Sequence, residues 1–229
     1  MKFVLISVMG GILGLDRVCV QIMVSRPIVT APLIGLVLGD LYTGLIVGAL
    51  VELLWIDRLP VGTCLPPNDF LVSLLVVASS ILAGQELGHK SRELVAFSTL
   101  IFIPFGYLGQ RMDGFIIRSN GALAEGALQD AQAGEIEGIC RKHLTGLAKV
   151  FLAYVAFISL ALPGGVFLIV SVFPLLPAAS IRALTMTCLA LPVLGAAAAL
   201  HTINLKGAVP TFCAFFLVVS LIVELFRIF

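Results

Sequence analysis

Residues 35–52 read Gly35-Leu36-Val37-Leu38-Gly39-Asp40-Leu41-Tyr42-Thr43-Gly44-Leu45-Ile46-Val47-Gly48-Ala49-Leu50-Val51-Glu52. The four glycines stand four, five and four residues apart. A four-residue step returns to the same face of a helix, where a second helix backbone can come close. The five-residue step holds Asp40, and it predicts a break between two half-segments there. Asp40 and Glu52 sit at either end of the second half. Carboxylates at membrane depth are costly and usually face a cavity or a partner.

The membrane setting follows from composition. Apolar residues make up 60% of the 229 and charged residues 12%. Water-soluble domains carry about 45–50% apolar and about 25% charged residues. So few charges cannot coat a water-facing surface, whereas lipid tails ask for no polar coat. The length suits a single membrane domain, residues 1–229, with roughly six to eight hydrophobic segments of about 20 residues. A net charge of +1 gives no case for nucleic acid as a partner.

Outward from the glycine-rich stretch, the N-terminal pieces are short. Phe3–Leu15 stops at Asp16-Arg17, Val18–Ser25 at Arg26-Pro27, Ile28–Gly39 at Asp40, Leu41–Val51 at Glu52, and Leu53–Ile56 at Asp57-Arg58. A clean span needs about 20 residues, and most of these are near half that. They read either as helices with charged ends that snorkel to the headgroups, or as broken or re-entrant helices whose breaks line a polar cavity. Met1-Lys2 and the apolar run after it imitate a signal peptide, but Asp16-Arg17 follows with no small-x-small cleavage site, so retention as a membrane segment is the reading. Leu59–Asp69 contains three prolines and a glycine and cannot form a regular helix.

Beyond it, Phe70–Gly84 and Leu94–Gln110 are hydrophobic, the latter with a kink predicted at Pro104. Arg111–Lys149 is the one long polar stretch, with Ala124, Ala127, Leu128 and Ala131 at helical spacing. It predicts an amphipathic or solvent-exposed helical segment between membrane blocks. Its five Lys and Arg place it in the cytoplasm by the positive-inside rule. Val150–Phe173, interrupted by Pro163-Gly164-Gly165, then Ala183–Ile203 and Ala208–Leu225, read as longer transmembrane helices. The expected fold is all-α: a polytopic membrane protein with short broken or re-entrant helices in the N-terminal third and longer transmembrane helices after it. Three blocks follow, residues 1–110 carrying the glycine pattern, 111–149 the polar helical loop, and 150–229 the C-terminal helices.

Candidate site residues cluster in Arg26–Asp69. A carboxylate can accept from two sugar hydroxyls, and an amide such as Asn68 serves both directions. Glu52 reads either as such a group or as an interfacial helix end, since Asp57-Arg58 lies five residues on. Trp55 reads as an interfacial anchor or as a platform for a sugar face. His89, His143 and His201 have no neighbouring carboxylate and no metal-like spacing. Cys19, Cys64, Cys140, Cys188 and Cys213 form no CxxC pair and read as packing residues. No nucleophile–base pair, phosphate loop or metal motif is present, so no catalytic residue, metal or cofactor is assigned.

Residues 35–52 resemble the signature of the IIC subunits of mannose/fructose/sorbose-type phosphotransferase systems. Gly35, Gly39, Asp40, Gly44, Leu45, Ile46, Gly48, Leu50 and Glu52 match it, while Ala49 and Val51 depart conservatively. Arg26-Pro27, Val61-Gly62 and Pro67-Asn68-Asp69 are also similar to the family, and Gly14-Leu15-Asp16-Arg17 with Ser25-Arg26-Pro27 resembles one subgroup. The resemblance implies a multi-pass protein of the bacterial inner membrane that moves a hexose-type sugar. It implies a IID membrane partner, soluble IIA and IIB phosphocarriers, a trimeric assembly of IIC–IID pairs, and no catalysis by the IIC chain itself. It implies that Glu52 and the Asn68/Asp69 pair line the sugar path, leaving open which of the pair contacts sugar; Asp40 is the further candidate. The buried acids alone also fit a stand-alone ion-coupled transporter, and retention of the pattern without transport would fit a regulatory or scaffold protein.

Overall fold

The computed structural model describes residues 1–58 and 64–203, with 207, 210–215, 217 and 218. The Val61-Gly62 pair and most of Ala208–Leu225 lie outside the described residues, as does the His201 side chain. The α-helices α1 Lys2–Leu15, α2 Pro27–Leu38, α3 Leu41–Leu54, α4 Asp69–Glu86, α5 Arg92–Ala133, α6 Ile136–Val172 and α7 Ala178–Ile203 carry most of the described chain, and residues 210–215 are helical as well. No strand occurs among the described residues. Five segments are long and apolar enough to cross a membrane: Lys2–Val20, Asp69–Glu86, Arg92–Ala133, Ile136–Leu175 and Ala178–Leu200.

The core is built around α4. Every residue from Phe70 to Gly84 is buried, as expected of a helix that is hydrophobic all round. Helices α2, α3, α5 and α6 pack against it, α1 lies on α6, and α7 covers α3 and α5. Side-chain contacts define two ends of this bundle. At one end Lys2 donates to Gln85, Gln85 donates to the Leu38 carbonyl, and Lys90 pairs with Asp40. At the other, Arg17 pairs with Asp69, Arg26 pairs with Glu52, and Tyr154 meets Asp113. From Asp69 to Glu86 the helical rise is about 26 Å, close to the roughly 30 Å of a hydrocarbon layer.

Helices α2 and α3 form a re-entrant hairpin. Both outer ends lie at the Glu52 end of the bundle, and the turn between them reaches the Lys90 end. The break predicted at Asp40 is there, and it has two causes. Gly39 ends α2 in the left-handed region at φ +80°, which costs glycine least. Asp40 then starts α3 as its N-cap, its side chain accepting from the Thr43 N–H at 3.1 Å. The other glycines allow close approach. A Cβ on Gly35 would stand 3.0 Å from the Gly44 Cα, and one on Gly48 would stand 2.7 Å from the Pro27 carbonyl oxygen.

One interruption expected from the sequence does not occur: α6 continues through Pro163-Gly164-Gly165. Helix α5 continues past Pro104 and on to Ala133. Gly165 instead seats the Phe102 ring of α5, which would collide with any Cβ there. The polar stretch 111–149 is therefore two helix ends that run on from the membrane block and meet at Gly134, φ +76°. Lys142 closes this polar hairpin on the Gly126 carbonyl and on Asp130.

The cysteines also differ from the packing role expected of them. Cys19, Cys64, Cys140 and Cys213 face outward, and only Cys188 is partly covered.

Candidate functional site

The candidate residues fall into three places. Glu52, near the C-terminal end of α3, holds the base of the hairpin. Its Oε1 accepts from Arg26 at 3.3 Å and its Oε2 from the Ile28 N–H at 3.3 Å. The second bond falls on the first turn of α2, where backbone donors have no partner within the helix. Pro27 at the first position of α2 presets the helical φ and gives up no bond. The acid thus ties both helices of the hairpin together and stays partly exposed.

Asn68 and Asp69 occupy the start of α4. Asn68 is fully buried and fully engaged: its Oδ1 accepts from the Leu71 N–H at 2.9 Å, capping α4. Its amide nitrogen donates to Asp113 at 2.7 Å and to the Tyr154 hydroxyl at 3.0 Å. Tyr154 donates in turn to the other Asp113 oxygen at 2.9 Å. The Asn68 backbone N–H donates to the Gly106 carbonyl at 2.8 Å, which fixes the α4 start against α5. Gly109 makes room, since a Cβ there would stand 2.7 Å from the Asn68 Cβ. Asp69 instead faces Arg17, paired at 2.8 Å. Of the two, Asp69 has the more open side chain. No hydrogen bond or ion pair joins Glu52 to Asn68 or Asp69 among the described residues.

Asp113, Tyr154 and Arg17 are the members of this group that sequence reading did not single out. Asp113 stood in a polar stretch that read as solvated, and Tyr154 in an apolar run. The one local signal was a tyrosine hydroxyl inside a span, since a buried O–H needs a partner. Asp16, next to Arg17, is buried and organises the turn from α1 to α2. It accepts from the Ile22 and Ser25 N–H groups at 2.8 and 3.0 Å and from the Ser25 hydroxyl at 2.9 Å. Gln21 and Met23 carry the positive φ angles that the turn requires.

Asp40 lies at the opposite end, so the four candidates do not form one constellation. The helical rise of α3 separates Asp40 from Glu52 by about 18 Å. Asp40 stands between two short helices, outside the five candidate spans. Burial pushes its carboxyl up, but the Lys90 ammonium at 2.9 Å and the Thr43 N–H and hydroxyl outweigh that. The carboxyl is held below its ordinary range. Trp55 is half-buried at the end of α3, its ring 3.6 Å from where a Gly106 Cβ would stand.

His89 sits in the α4–α5 loop, its ring 6.1 Å from that of Phe173. His143 lines a groove of about 310 Å³ between the two arms of the polar hairpin and Val18.

Comparison with known proteins agrees with this architecture. A family model described as the sorbose-specific IIC component of the PTS system matches residues 1–228. The fructose permease IIC component of Bacillus subtilis (strain 168) is 31% identical over 153 residues, which cover 67% of this chain and 53% of that protein. The chain thus spans about half the length of that relative. A solved chain described as a membrane protein shares the fold at TM-score 0.74 and 20% identity, with 96% of this chain and 86% of that one aligned. A chain from the mannose transporter ManYZ in its microcin complex does so at TM-score 0.63 and 20% identity, with the same coverage. The five candidate spans together with these similarities make the chain a multi-pass membrane protein.

Proposed function

The chain belongs to the family of sorbose-type IIC components of the phosphotransferase system, and from that premise we propose that it is the sugar-translocating membrane subunit of a phosphoenolpyruvate-dependent sugar phosphotransferase system. The observation that carries the reading is the α2–α3 hairpin. It enters from one end of the bundle, turns at Gly39-Asp40 near the other, and is held by an ion pair at each end. Short, interrupted helices of this kind are the structural element from which transport sites are built.

The mechanism is alternating access. The hairpin moves as a unit against the α4–α5–α6 block; the Arg26–Glu52 pair holds its two arms together, and the Lys90–Asp40 pair is the contact that must rearrange. Glu52 and the Asn68–Asp69 corner line the sugar path at one end, and Asp40 lies on it at the other. Asn68 acts chiefly by holding the corner in shape, and Asp69, the more open of the two, meets the sugar. The polar hairpin 111–149, with its five Lys and Arg, faces the cytoplasm by the positive-inside rule. The Glu52 end is then the cytoplasmic end, in the bacterial inner membrane. There a soluble IIB protein, charged by IIA, phosphorylates the sugar and prevents its return. The chain itself catalyses no step. A IID subunit completes the membrane unit, within a trimeric assembly of such pairs. The whole chain acts as one membrane domain, with blocks at 1–110, 111–149 and 150–229.

Uptake of labelled hexoses by cells that also make the IID, IIA and IIB proteins tests this. Uptake that requires phosphoenolpyruvate is the expected result. No uptake of any sugar by the complete set of proteins overturns the permease reading and turns it toward a regulatory or scaffold role.

A further inference from the structure

A cavity of about 940 Å³ opens at the Asp40 end of the bundle, between the hairpin turn, α4, the start of α5 and α7. Its polar wall includes Asp40, Thr43, Ser80, Lys90 and Thr185. These come from four different elements, so none of the local turns explains their convergence. Its two charges beside the hairpin turn are paired with each other, Lys90 with Asp40, and Thr185 donates at 2.9 Å to Glu93. Arg92 also lines the cavity. A ligand seated beside the Lys90–Asp40 pair meets no net charge there. A neutral ligand rich in hydroxyls would gain more, because the Asp40 carboxylate and the threonine oxygens have lone pairs to spare and the ammonium has further donors. The rest of the lining is apolar, with Ile81 and Leu189 among it, and would take the C–H face of a sugar ring. The volume falls in the usual range for small-molecule sites.

We propose that this cavity is a sugar-binding site on the face opposite Glu52, where the substrate is first held beside the Lys90–Asp40 pair before the hairpin moves. The proposal rests on the permease reading and adds to it Lys90, Thr43 and Thr185 as substrate contacts. It gives the ion pair a second role. A sugar hydroxyl that takes over a bond from Asp40 or Lys90 weakens the contact that ties the hairpin turn to the α4–α5 loop. Binding would thereby favour movement.

The chain carries its own reporter. Cys188 of α7 lines the cavity, whereas Cys140 lies exposed in the polar hairpin. In membranes holding the complete complex, with Cys19, Cys64 and Cys213 changed to Ser, the rate of maleimide alkylation at Cys188 is read against Cys140. The probes are hexoses and N-acetylhexosamines at rising concentration, with uptake measured in the same cells. One of these sugars slows Cys188 at least about threefold and leaves Cys140 unchanged. In Thr185→Val or Lys90→Gln the half-protecting concentration rises about tenfold, the size expected for one lost hydrogen bond. Uptake without protection by any sugar overturns the cavity and leaves the permease reading standing. Protection without uptake supports the cavity and overturns the permease reading. Neither effect overturns both. Protection with the same half-point in both variants also overturns the proposal, because the sugar then acts on Cys188 from elsewhere.

Discussion

Gly44 and Ala31 bring α3 and α2 into backbone contact: a Cβ on Gly44 would come 2.5 Å from the Ala31 carbonyl oxygen and 2.9 Å from the Pro32 Cα. Neither obstacle is a movable side-chain tip, so the hairpin would have to spread to admit even a methyl group. Gly44→Ala is therefore expected to cost about 1–3 kcal/mol. Gly121 in α5 has nothing within 4 Å of the same position, and Gly121→Ala should be neutral or gain up to about 1 kcal/mol from helix propensity. Thermal unfolding of the two variants in detergent checks the contrast. Equal melting temperatures would remove the close-contact account of the hairpin.

Gly39 serves a different purpose from its neighbours in the pattern. Its φ of +80° closes α2, and a Cβ there meets nothing within 4 Å. The cost of substitution is conformational and not steric. Gly39→Val should destabilise by about 1–2 kcal/mol, and Gly39→Asn by less, since Asn tolerates the left-handed region. The order Gly, Asn, Val in melting temperature is the readout.

The Asn68–Asp113–Tyr154 triangle closes three hydrogen bonds among three helices. Tyr154→Phe removes one donor from Asp113 and one acceptor from Asn68, and should cost about 1–3 kcal/mol. Asn68→Ala should cost more, because it also uncaps α4. In a double-mutant cycle, Tyr154→Phe and Asp113→Asn should be non-additive by about 0.5 kcal/mol or more, as residues in one network are. Additive losses would show that the triangle is not a coupled unit.

Much of this architecture is readable before folding. The Gly39-Asp40 break, the short N-terminal helices and the apolar run of α4 all follow from local spacing. The convergence of Asn68, Asp113 and Tyr154 does not, because their partners lie 45 and 86 residues apart in sequence and no periodicity links them. Asp113 looks solvated on the chain because charged residues flank it, yet α5 places it at the corner where α4 begins. Pro163-Gly164-Gly165 looks like an interruption because a proline removes a backbone donor, yet α6 runs through it, as α5 runs past Pro104 and as membrane helices tolerate. The cavity beside Asp40 is likewise invisible in sequence, since Thr185 and Lys90 come from segments that read as an ordinary span and a loop.

The central claim is that the α2–α3 hairpin, with Glu52 at its base, carries the transport path. The direct test is phosphoenolpyruvate-dependent sugar uptake by the complete complex, comparing the native chain with Glu52→Gln. The amide keeps the shape of the side chain but gives up the charge that holds Arg26 and faces the sugar. Uptake is predicted to fall by at least about tenfold, the loss expected for one charge-assisted hydrogen bond, with membrane assembly and melting temperature close to native. Uptake at the native rate by Glu52→Gln would contradict the claim.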